Sequence, residues 1–161
     1  MTLCIKERVC GVNDNYDVYD QRGNPVYHVK GQLFSLGHKI HITDNNNYEV
    51  IYIKEKVLAF FKKFEIYING EYKGMLKEKF SIMHPKYDVD YNGMKIVGDV
   101  FGWDYDVKKD DKLVATIRRK TYVWSNTFDI EAFNKDDELS VLALAIAIDA
   151  VKGENTGFYY G

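Results

Sequence analysis

Proline is almost missing from this chain. With two prolines in 161 residues and no Pro-, Gly- or Ser-rich stretch, there is no linker to divide it, and one domain over residues 1–161 is expected. Cysteine is as scarce, with only Cys4 and Cys10. Lys6, Glu7 and Arg8 fall where an export signal needs its apolar segment. Reduced thiols and a cytoplasmic setting are therefore expected, and the Cys-x5-Cys spacing is no metal or redox motif. Charge excess is missing as well: 22 basic residues face 24 acidic ones, for a net charge of −2. Nucleic-acid binders carry a basic excess, so no nucleic-acid partner is expected. No apolar run is long enough for a membrane-spanning segment. The longest, Val141 to Ile148, has eight residues, against about 20 for a span. Ser35, Ser81, Ser125 and Ser140 all lie outside a G-x-S-x-G context, and no Gly-rich phosphate loop is present. Neither a catalytic residue nor a cofactor is expected.

What the chain does have is aromatic and alternating. It contains 13 Tyr and 9 Phe, a composition that favours strands when proline is rare. Four hairpins are predicted. Tyr16–Asp20 turns through QRGNP into Val26–Lys30, and Lys39–Thr43 through DNNN into Tyr48–Lys54. Phe64–Ile68 turns through NGE into Tyr72–Lys77, and Tyr105–Lys108 through KDDK into Leu113–Lys120. Asn69-Gly70 is the strongest turn signal, since both residues tolerate φ > 0. In FGWDYDV, Phe101, Trp103, Tyr105 and Val107 share one face. In KYDVDY, Tyr87, Val89 and Tyr91 oppose Asp88 and Asp90. One wet and one buried face is the antiparallel pattern. LAFFKK, residues 58–63, reads as strand or loop.

A helix is predicted over about 137–151, with Asp136 and Asp137 at its start and Gly153 ending it, followed by a tail over 153–161. It is apolar all round, so it belongs inside a core. The consistent architecture is mainly β: a closed antiparallel barrel plugged by a buried C-terminal helix. Leu142, Leu144, Ile146 and Ile148 are its expected core residues.

Several stretches then fall into a familiar order: GDVFGWDYDV (98–107), LVATIRRK (113–120), Trp124, NTFDIE (126–131) and LSVLALAIAIDAV (139–151), with YDVYDQRGNPVYHVKG (16–31) near the start. This set resembles the LURP-one-related (YxjI-like) family, whose members share the tubby C-terminal fold. The resemblance implies a closed barrel around a helix and kinship with phosphoinositide-binding tubby domains and phospholipid scramblases. No catalytic motif comes with it.

The densest basic run, Arg118-Arg119-Lys120 with Lys108, Lys109 and Lys112, is the candidate ligand site. A planar guanidinium binds phosphate bidentately, so the candidate ligand is an anionic phospholipid headgroup or another phosphorylated group. That would place the protein at the inner membrane face. The plainer alternatives are a solvated strand end and a protein that binds only other proteins in a stress response. On Leu113–Tyr122, alternation turns Leu113, Ala115, Ile117 and Arg119 inward, and Val114, Thr116, Arg118 and Lys120 outward. Asp149 is out of place near a helix C-terminus, and Arg119 is its expected partner at the barrel mouth. Trp103 and Trp124 are expected in the core and at the rim. Asp88/Asp90 and Asp104/Asp106 have a spacing that suits a hydrolase, but also suits an ordinary wet face. His38 and His41, three apart on a strand, face opposite ways and do not make a metal pair.

Overall fold

Among the described residues, twelve strands precede one helix. A computed structural model describes residues 1–6, 15–34, 37–57, 60–79, 86–122 and 125–156. The strands are β1 (Thr2–Lys6), β2 (Asn15–Tyr19), β3 (Pro25–Phe34), β4 (Gly37–Asp44), β5 (Glu49–Glu55) and β6 (Lys63–Ile68). They continue as β7 (Glu71–Lys79), β8 (Lys86–Tyr91), β9 (Met94–Asp99), β10 (Asp104–Lys109), β11 (Lys112–Tyr122) and β12 (Ser125–Ala132). A 3₁₀ turn (Lys135–Asp137) leads into α1 (Glu138–Thr156). All four predicted hairpins are present.

The strands form one antiparallel sheet in the order β8-β7-β6-β5-β4-β3-β2-β1-β12-β11-β10-β9. Its edge strands, β8 and β9, are joined by the Asn92-Gly93 turn, so the sheet curls into a nearly closed barrel with its seam there. Inward residues alternate along each strand. Ile40 and Ile42, Ile51 and Ile53, Phe64 and Ile66, and Ile117 and Ile130 line the interior.

α1 fills that interior. Each residue from Val141 to Ile148 is at most 1% exposed. The helix lies against β5, β6 and β7 on one wall and against β12 on the other, so its apolar surface has neighbours all round. Leu142, Leu144, Ile146 and Ile148 sit in this core. The predicted stop at Gly153 is corrected: the helix continues to Thr156. A helical glycine costs only about 1 kcal/mol, so it does not by itself end the helix; the remainder of the predicted tail, residues 157–161, lies outside the described residues. The predicted caps also change role. Asp137 is buried, and its Oδ1 meets Lys109 Nζ at 3.3 Å; Asp136 is exposed.

Hydroxyl groups fix the start of α1 to the barrel. Tyr91 Oη donates to the Ser140 carbonyl at 3.0 Å, and Tyr27 Oη donates to Glu138 Oε1 at 2.8 Å. Asn92 Nδ2 donates to Ser140 Oγ at 3.2 Å. Burial pushes the Tyr91 hydroxyl well above its ordinary range, and burial with the nearby Asp149 charge does the same for Tyr105. Both side chains are 1% exposed. A tyrosine raised on folding holds its proton in the native state after the unfolded chain has lost it. Its stability contribution is full below about pH 10 and falls by about 1.4 kcal/mol per pH unit above that. Denaturant unfolding from pH 8 to 11 should therefore show a plateau followed by a decline, with Tyr91→Phe flattening part of the decline.

The two rims differ. One is made of tight turns: Asn69-Gly70, Asn92-Gly93 and Asp110-Asp111 all have positive φ, as hairpin turns of this kind require. The start of α1 lies at this turn rim. The opposite, loop rim carries the connection from β5 to β6, the turn from β9 to β10, and the end of β11. α1 runs toward it.

Candidate functional site

The basic run lies on the last part of β11, at the loop rim. A bulge shifts its register: Val107 faces Ala115, but Lys108 faces Leu113. The extra residue reverses the parity at the start of the strand, so Val114 is buried and Leu113 is 44% exposed, the opposite of the alternation expected there. Past the bulge the pattern holds, with Ala115 and Ile117 buried. Arg119 has their inward parity but is exposed, as befits a residue at a barrel mouth. Lys108, Lys109 and Lys112 do not join this run. They flank the Asp110-Asp111 turn at the other rim, about 20 Å from Arg118 along β11. Lys109 is also engaged by Asp137.

Arg118 is enclosed by acceptors. Its Nε reaches Asp104 Oδ1 at 3.2 Å and its Nη2 reaches Asp106 Oδ1 at 2.5 Å. Its Nη1 donates to the carbonyls of Tyr105 at 2.8 Å and Ile117 at 2.9 Å. Lys120 pairs with Asp129. Register explains this: Cys4, Asp129, Arg118, Asp104 and Asp99 are neighbours in one row across β1, β12, β11, β10 and β9. Asp104 and Asp106 thus act as counter-ions to an arginine, and Asp88 pairs with Lys79 at 3.1 Å. A groove of about 660 Å³ beside this row is lined by Tyr19, Gln21, Arg118, Lys120, Asp129 and Glu131 among others. Its cations are matched by its acids, so it offers no surplus positive charge to a phosphate.

The structure places Trp103 in the core, 4% exposed and stacked on Phe128 with centroids 4.0 Å apart. Its φ of 58° belongs to a turn, and Phe101 beside it is 39% exposed rather than inward. Trp124, Cys10 and His84 lie outside the described residues. Asp149 is half-buried near Tyr105, toward the rim where Arg119 stands. His38 is buried and His41 faces outward, on opposite faces as expected. His28 holds Asp17 Oδ1 at 2.7 Å and Asn45 Oδ1 at 3.1 Å, in a second groove of about 350 Å³. Both of its ring nitrogens are thereby engaged in the sheet. Among the described residues, no group of three or more His, Cys, Asp or Glu side chains could hold a metal ion.

The other cationic cluster is the β5–β6 connection. Lys54, Lys56, Lys62 and Lys63 fall within ten residues that contain one acid, Glu55. Lys56 Nζ meets Glu65 at 3.1 Å, and Glu55 accepts from the His38 backbone. Of the LAFFKK stretch, Leu58 and Ala59 lie outside the described residues; residues 60–62 are loop, and β6 begins at Lys63. The sequence signal for this cluster was KEKVLAFFKK itself, where lysines bracket an apolar run without alternation.

A twelve-stranded antiparallel barrel threaded by a buried C-terminal helix is the tubby-like fold. The chain belongs to the LURP-one-related family, whose model matches residues 1–149. It is similar to the uncharacterised protein YxjI of Bacillus subtilis (strain 168), at 23% identity over 149 residues, covering 92% of each chain. A solved structure of an Arabidopsis thaliana protein superposes with a TM-score of 0.66 at 16% identity, covering 94% of this chain and 91% of that one. Neither match names a reaction. Among the described residues, no helix is long and apolar enough to cross a membrane.

Proposed function

We propose that this domain is a non-enzymatic binding module that docks on anionic phospholipid at a membrane surface. The observation that carries this reading is the lysine density of the β5–β6 connection at one rim of the barrel: Lys54, Lys56, Lys62 and Lys63 within ten residues that hold one acid, Glu55, with Glu65 of β6 pairing Lys56. Arg118, Arg119 and Lys120 belong to the same rim and add to its field, but Arg118 and Lys120 are already held by acids of the sheet. The headgroup contact is assigned first to Lys54, Lys56, Lys62 and Lys63 for their density in one short connection, Lys56 being paired with Glu65 as Arg118 and Lys120 are with their acids. A net charge of −2 does not oppose this, because the field falls off within about 8–10 Å and the local patch decides.

The test compares binding to phosphatidylserine-containing vesicles by wild type and by the variant Lys54→Gln/Lys56→Gln/Lys62→Gln/Lys63→Gln. Each lysine near such a surface is worth about 1 kcal/mol, so a loss on the order of a hundredfold or more is expected. The Arg118→Ala/Arg119→Ala/Lys120→Ala variant should lose less. Glycerophosphate should compete poorly if a membrane, rather than a free phosphate, is the ligand. Equal binding by wild type and the lysine variant would refute the assignment.

A further inference from the structure

Between those lysines the chain presents apolar side chains to solvent. Phe60 is 98% exposed, Val57 46% and Phe61 37%. No other large apolar side chain among the described residues is as exposed as Phe60. Isolated exposed apolar residues are common, but three within five positions of one loop are not. The neck of the loop is fixed. Lys56 N–H donates to the Lys63 carbonyl at 2.7 Å, and Glu78 N–H donates to the Lys62 carbonyl at 2.9 Å. Phe60 and Phe61 meet edge to face, with centroids 5.5 Å apart. The sheet thus holds both ends of the loop, and Phe60 stands in solvent.

We infer that Val57, Phe60 and Phe61 form an apolar anchor that enters the interfacial layer of an anionic bilayer while the flanking lysines remain among the headgroups. This rests on the membrane-docking reading above and goes beyond it, because charge alone would hold the protein outside the headgroups. Charge complementarity favours a bilayer over a protein partner: lysines on both sides of the exposed aromatic pair match anionic headgroups above an apolar layer. Two weak signals together also give firmer attachment than either alone.

The experiment uses full-length protein and vesicles of phosphatidylserine and phosphatidylcholine. At physiological salt, Phe60→Ser/Phe61→Ser should bind roughly tenfold or more weakly than wild type, with an unchanged thermal midpoint. In Phe60→Trp, lipids brominated near the headgroup end of the acyl chain should quench emission beyond the wild-type background. Wild-type binding with no loss in the serine variant, or without extra quenching of the introduced indole, would overturn the anchor and leave headgroup docking intact. A wild type that binds no vesicles would overturn both. Self-association abolished by the serine substitutions, without vesicle binding, would assign the tip to a second copy of the chain and likewise overturn the anchor.

Discussion

A chain ending at Asp137 should not fold. It would retain every strand, yet circular dichroism should show no cooperative unfolding transition, and amide exchange should be fast throughout. Removing α1 takes Val141, Leu142, Leu144, Ile146, Ile148 and Val151 from the core, each at most 1% exposed. At roughly 1.5–3 kcal/mol apiece, their burial is worth on the order of 10 kcal/mol, comparable to the whole stability of a domain. The loss does not stop there. Ile51, Ile53, Phe64, Ile66 and Leu76, all 0% exposed, belong to the same core and would face a water-filled barrel. Leu144→Ala supplies the graded control. It should fold, with stability lowered by about 2–5 kcal/mol according to how far the core collapses. A truncated chain with a sharp native-like transition would show that the helix is an accessory and not the plug.

The second large effect is expected at a glycine. Gly74 lies in β7 with φ of 138°, where an L side chain is strained. A Cβ there would lie 2.3 Å from the Asp90 carbonyl oxygen and 2.6 Å from the Tyr91 Cα. Both obstacles are backbone of β8 and cannot turn aside as a side-chain tip would. β7 and β8 pair at this point, close to the seam of the barrel. Gly74→Ala should therefore cost about 3 kcal/mol or more, combining backbone strain with displaced pairing. Gly70 isolates the conformational part. Its φ is 79°, but a Cβ there meets nothing within 4 Å. Gly70→Ala should cost about 1–2 kcal/mol. Chemical denaturation of the two variants side by side gives the steric contribution as the difference; equal losses would mean that β8 yields freely.

Much of this fold is legible in the chain because its signals are local. Alternation marks the strands, Asn-Gly and Asp-Asp pairs mark the hairpins, and an eight-residue apolar run in one helix demands a core on every side. The candidate site was less legible because it depends on register. Nothing local to Arg118 tells that Asp104, Asp106 and Asp129 stand around it; pairing across β10, β11 and β12 brings them there. The bulge at Leu113–Val114 likewise cannot be read from β11 alone. Lys108 of β10 and Lys112 of β11 are near Arg118 in sequence but lie at the turn rim, away from it, because a β-strand gains about 3.3 Å per residue. Gly153 differs for another reason: a glycine suits a helix end but costs only about 1 kcal/mol inside one, and the helix runs on to Thr156. The LAFFKK stretch, read as strand or loop, gained its meaning only when Phe60 proved to face solvent.

The most direct test of the docking function is co-sedimentation of the wild-type protein with vesicles across a salt series, comparing phosphatidylserine-containing membranes with pure phosphatidylcholine. The account predicts binding to the anionic vesicles only, strong at low salt and weaker but present at physiological salt, where the lysines are screened and the apolar tip still holds. Equal binding to neutral and anionic vesicles, or no binding to either at low salt, would contradict it.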